Sequence, residues 1–98
     1  MEILKNIDGN VCNFAIVGRL DTTTAPQLEA ELKNSLNGVE ELVIDLARLE
    51  YISSAGLRVL LSAQKVMNAQ GSMKIVNVIP EVMEVFEITG FTDILTIE

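Results

Sequence analysis

The sequence predicts an α/β fold: one domain over residues 1–98, built on a mostly parallel β-sheet with an N-terminal β-hairpin and helices chiefly on one face. Three observations carry this. Two strand-like stretches come first, and after them helix-length segments alternate with further strands, which imposes right-handed βαβ crossovers. The strands are apolar on one side and mixed on the other, where Val43 accompanies Asp45 and Lys74 accompanies Val76; a sheet covered on one face reads this way. Finally, 98 residues with 49% hydrophobic and 21% charged side chains suffice for one packed core and leave no room for a second.

The elements follow in order. "EILKNI" and "VCNFAIVG" are short apolar stretches separated at Asp8-Gly9, a hairpin signal. "TTTAPQLEAELKNSL" reads as a helix, with threonines to cap it, Pro26 in its first turn and Leu28, Leu32 and Leu36 on one face. "ELVIDL" is a strand that turns Leu42, Ile44 and Leu46 to one side. A second helix runs from Ser54 to Gln70 and stops at Gly71, a suitable C′ residue. "MKIVNV" is the next strand, Pro80 opens a short helix through "EVMEVFEIT" that Gly90 closes, and "DILTI" supplies a last strand.

Composition excludes several functions. A net charge of −7, with seven basic residues in no cluster, repels a phosphate backbone, so nucleic acid is not an expected partner. No apolar run reaches the roughly 20 residues that span a bilayer. The opening "MEILKNIDGN" carries charges where a signal peptide needs an apolar stretch, so a cytoplasmic protein without membrane contact is expected. Cys12 is the sole cysteine, and it alternates with Phe14 and Ile16 as a core residue does. Without histidine the common zinc sites cannot be assembled, and neither an acidic spacing for magnesium nor a glycine-rich phosphate cradle is present. No cofactor is expected.

Three loops, residues 18–24, 47–54 and 78–80, fall at the C-terminal edge of the parallel strands, where open α/β sheets bind ligands and partners. The first brings Asp21, Thr22, Thr23 and Thr24; the second brings Ser53 and Ser54. On the second helix Gly56, Val59, Leu60, Ala63, Val66 and Met67 share the side expected to face the sheet. Ser54, Leu57, Arg58, Leu61 and Lys65 fall largely opposite, Leu57 at the border. That outward strip reads either as a small contact patch or as ordinary exposed leucines. The serines read as a helix cap worth about 1 kcal/mol or as an acceptor of some group. A serine nucleophile lacks a base, since Lys65 and Asp45 sit at no relay spacing, and the G-x-S-x-G elbow is missing.

Three pieces in order, "GRLDTTTAPQLEAEL", "ELVIDLARLEYISSAGLRVLL" and "MKIVNVIPEVMEVFEITGF", resemble the STAS domain of the bacterial anti-sigma factor antagonist (anti-anti-sigma factor) family. The middle piece resembles that family's signature: an aspartate-leucine strand, an aromatic, an apolar residue, then D-S-[ST]-G-[LM]. Ser53 falls on the aspartate position, Ser54 on the phosphorylated serine, Ala55 on the second hydroxyl, and Gly56-Leu57 match directly. Arg58 stands where a small residue is frequent.

The resemblance implies a switch in transcription regulation and not an enzyme. Unphosphorylated, such a protein binds an anti-sigma factor that is also a serine kinase, freeing a sigma factor; phosphorylation separates the pair, and a serine phosphatase restores it. ATP and the divalent metal then belong to the partner kinase and phosphatase, and the free protein is expected to be a monomer. Ser54 becomes the phosphoacceptor, with Ser53 as the alternative. Asp21, Thr22, Thr23, Ser53, Leu57, Arg58 and Leu61 become partner contacts, with Ile79 and Pro80 from the third loop. Gly56 is read as permitting close helix packing, Gly90-Phe91 as a stop and core anchor, and Glu81, Glu84 and Glu87 as a solvated face. The alternative is a non-switching STAS scaffold subunit of a stress-sensing or transport-associated complex.

Overall fold

The computed structural model describes residues 1–98. Its strands are β1 (Glu2–Asp8), β2 (Val11–Leu20), β3 (Glu41–Asp45), β4 (Leu49–Ile52) and β5 (Ser72–Val76), and its helices are α1 (Ala25–Ser35), α2 (Ser54–Gln70) and α3 (Pro80–Thr89). The sheet runs β1-β2-β3-β5, with β4 attached to β2. Only β1 and β2 are antiparallel; β2–β3, β2–β4 and β3–β5 are parallel. No helix is long and apolar enough to cross a membrane.

Alternation explains the layering. Cys12, Phe14 and Ile16 on β2, Leu42 and Ile44 on β3, and Met73 and Ile75 on β5 are buried, and they join one core cluster with Leu28 and Leu32 of α1, Leu60 and Met67 of α2, and Phe86 of α3. Their neighbours Asn13, Ala15, Val43, Asp45, Lys74 and Val76 are half-buried on the opposite face of the sheet. The expected one-sided cover is thus present. Cys12 lies fully inside, and burial pushes its thiol ionisation up, with Lys5 offsetting part of the effect.

Four details differ from the sequence reading. The hairpin turn is centred on Gly9-Asn10, because Asp8 pairs with Val11. Residues 49–52, expected as loop, form β4. Its burial pattern places Leu49 and Ile52 inside with two exposed residues between, so it lacks the two-residue period of a regular strand. The cause is a bulge: Gly18 pairs with Leu49 but Arg19 pairs with Tyr51, leaving Glu50 as the extra residue. Gly18 carries a φ of 101° there, a conformation open to glycine.

The expected strand at "DILTI" shrinks to one parallel bridge between Ile97 and Ile75. A 3-10 turn at Phe91–Asp93 and the hydrogen bond from Leu95 N–H to the Phe91 carbonyl (2.8 Å) consume its first residues. Gly71 does close α2, but with extended backbone; a side chain there would strike the Glu40 carbonyl oxygen 1.8 Å away.

Candidate functional site

β2 and β4 deliver the first two loops to one place. The ladder between their ends continues past the strands, with Ser53 N–H donating to the Leu20 carbonyl at 2.9 Å. Asp21 follows that carbonyl directly, so the start of α1 and the start of α2 are held side by side. Gly56 seats α2 against this corner: a Cβ there would lie 2.7 Å from Leu20 Cγ and 2.9 Å from Ile52 Cγ1. Close packing at Gly56, read from the sequence, is therefore required by the geometry.

Thr23, Thr24 and Asp21 form a closed ring, with Thr22 exposed outside it. Asp21 Oδ1 accepts from Thr23 N–H (3.0 Å), Thr23 Oγ1 (2.7 Å) and Thr24 N–H (3.1 Å). Thr24 Oγ1 accepts from Asp21 N–H and donates to the Arg19 carbonyl, each at 2.8 Å. The Thr23 hydroxyl foremost holds the Asp21 carboxyl below its usual range; desolvation opposes it, and the backbone amides of Thr24 and Thr23 and the Thr24 hydroxyl each add a smaller pull downward. Arg19 reaches Asp21 Oδ2 at 3.9 Å and lies 4.2 Å above the Tyr51 ring. Arg19 and Tyr51 are not legible as candidates in the sequence, because the bulge that pairs them is invisible in period-two counting.

At α2 the two serines divide the work. Ser53 is the N-cap, its hydroxyl accepting from Gly56 N–H at 3.4 Å. Ser54 is the first helical residue and is exposed. Of the two serines read together as a helix cap, Ser53 alone holds that position.

Among the expected partner contacts, Thr22, Thr23 and Arg58 are exposed, while Asp21, Ser53 and Leu61 are half-buried. Leu57 is a correction: it is only 5% exposed and belongs to the core, so it supports α2 from beneath and offers nothing to a partner. Val66, expected inside, is 44% exposed instead. It lines a groove with Glu29, Leu32, Lys33, Val59, Ser62 and Ala63, between α1 and α2. A neighbouring cleft of about 370 Å³ brings Thr22, Pro26 and Glu29 together with Ala55, Arg58 and Ser62. In the third loop, Ile79 is half-buried and Pro80 starts α3. Glu81, Glu84 and Glu87 are exposed, Gly90 caps α3 in a left-handed conformation, and Phe91 packs on the core.

Residues 2–98 match the STAS domain, and the chain belongs to that family. It is 43% identical over 96 residues to BtrV of Bordetella bronchiseptica, itself a proposed anti-sigma factor antagonist, covering 96% of this chain and 82% of that one. It is 34% identical over 83 residues to the anti-sigma-B factor antagonist of Bacillus subtilis, covering 84% and 76% of the two chains. Among solved structures, an anti-sigma factor antagonist from Mycobacterium paratuberculosis has the same fold, with a TM-score of 0.88 at 24% identity over 98% of this chain and 83% of that one. The anti-sigma factor antagonist SpoIIAA in its unphosphorylated form shares the fold at a TM-score of 0.77 and 17% identity, over 99% and 87%.

Proposed function

We propose that this protein is an anti-sigma factor antagonist switched by phosphorylation at Ser54. Its unmodified form binds an anti-sigma factor that is also a serine kinase, and so frees a sigma factor for transcription. The kinase moves the γ-phosphoryl group of ATP onto Ser54 Oγ, ADP departs, and the hydroxyl proton leaves to a base on the kinase. A metal-dependent serine phosphatase hydrolyses the ester and returns the hydroxyl. The protein is the substrate in both steps, so nucleotide and metal sit on its partners, and it acts in the cytoplasm as a monomer when free.

One observation carries this reading. Ser54 is exposed at the first residue of α2 while Ser53 performs the capping, so the acceptor hydroxyl is free of structural duty. The named function of the relatives supplies the partner class.

The physics suffices for a switch. A phosphate brings about −1.5 to −2 charges at neutral pH. Burying a poorly paired dianion in an interface costs on the order of several kcal/mol, whereas about 2.8 kcal/mol already weakens binding a hundredfold. No refolding is required.

Incubation with ATP and a serine kinase encoded beside this gene, followed by intact-mass measurement, tests the proposal. A gain of one phosphate is expected; it disappears in Ser54→Ala and persists in Ser53→Ala. The phosphorylated form should bind the kinase at least about a hundredfold more weakly. Absence of any mass gain, or equal binding by both forms, overturns the switch and favours the scaffold alternative.

A further inference from the structure

Resting on the assignment of Ser54 as acceptor, we propose that Arg58 is the built-in counter-ion of a phosphate at that residue. Modification then does two things at once. It adds an anion to the docking surface, and it removes a cation from it by engaging Arg58.

Spacing and direction bring the two groups together. Residues four apart on a helix are surface neighbours, and both Ser54 and Arg58 are exposed. Every Cα–Cβ bond of a helix tilts toward its N-terminus, so the Cα–Cβ bond of Arg58 aims at the turn that carries Ser54; before modification its side chain lines the cleft with Ala55 and Ser62. A phosphoserine offers three acceptor oxygens, and the planar guanidinium fork suits two of them.

Competition is weak. α2 contains Arg58 and Lys65 but no aspartate or glutamate. Glu29, which lines the same cleft as Arg58, pairs with Lys33 at 3.1 Å. Asp21 is held by Thr23 and Thr24 and lies 3.9 Å from Arg19. The ion pairs of the molecule join Lys5, Arg19, Lys33 and Lys74 to acids and leave Arg58 out. Lys65 lies eleven residues beyond Ser54, about 16 Å along the axis at the helical rise, which makes it an internal control.

Phosphoserine incorporated at position 54 during synthesis tests the pairing without any kinase. A ³¹P NMR titration follows the second ionisation of the phosphate, which lies near pH 6 in the absence of a partner. Arg58→Ala should raise the midpoint by about 0.3 pH unit or more. Arg58→Lys should keep part of the lowering, and Lys65→Ala should leave the midpoint where it is. An unmoved midpoint in Arg58→Ala overturns the proposal, as does an equal shift in Lys65→Ala. Kinase labelling of Ser54 plays no part in this titration, so the two readings fail separately.

Discussion

α1 and α2 begin side by side at one sheet edge, and both beginnings are rich in hydroxyls, yet they are built in opposite ways. At α1 the Asp21 carboxylate gathers three donors and Thr24 closes the ring onto the Arg19 carbonyl. At α2 a single contact of 3.4 Å from Gly56 N–H to Ser53 does the capping, and the next hydroxyl stands outside it. The difference separates the Thr23, Thr24 and Ser53 hydroxyls, which the fold engages, from those of Thr22 and Ser54, which are exposed and outside these bonds. Abundance of serine and threonine is no guide to a site; what matters is which of them the backbone has already engaged.

Breaking the seat they share should have the largest effect. Gly56→Val pushes two methyl groups and a Cβ toward Leu20 and Ile52, where Cβ alone already lies under 3 Å from both. Such overpacking costs about 1–3 kcal/mol, visible as a lower urea midpoint, with both helix starts loosened together. An unchanged midpoint would mean that α2 can lift from the corner freely.

Disrupting only the α1 ring comes next. Asp21→Asn replaces the lowered carboxylate, and a lowered folded-state value means that the charge stabilises the fold at neutral pH. That contribution is fully present above the unfolded-state value of about 3.9 and is lost as pH falls through the folded-state value. Thermal melts should therefore show the variant less stable at pH 7, with the gap closing below about pH 4. A gap that persists in acid would place the loss in packing and not in charge.

Ser53→Ala should cost about 0.5–1 kcal/mol, the low end for an N-cap, because its hydrogen bond is long. Ser54→Ala should be the smallest change, within about 0.5 kcal/mol of zero. Chemical denaturation of the pair sharpens the contrast between the serines. A larger loss at Ser54 than at Ser53 would reverse their roles.

Much of this was legible in the sequence. The strand-helix alternation, the faces of β2, β3 and β5, the limits of α2 and the convergence of the 18–24 and 47–54 loops all follow from periodicity and cap chemistry. Legibility failed where local geometry departs from a regular period. β4 was hidden because its bulge puts Leu49 and Ile52 three residues apart on the buried side. Leu57 and Val66 were exchanged between inside and outside because a helix wheel does not know how wide its neighbours are; α1 leaves Val66 at a groove rim, while the core closes over Leu57. Two adjacent serines also look alike on paper, and only backbone dihedrals distinguish the extended cap at Ser53 from the helical residue after it.

Cys12 sits at the heart of β2, the strand with three pairing partners, and no other thiol exists in the chain. The molecule therefore carries its own stopwatch for coming apart. An alkylating reagent can mark it only during those moments when the central strand leaves the interior, so the pace of labelling on warming counts global openings without any dye or tag.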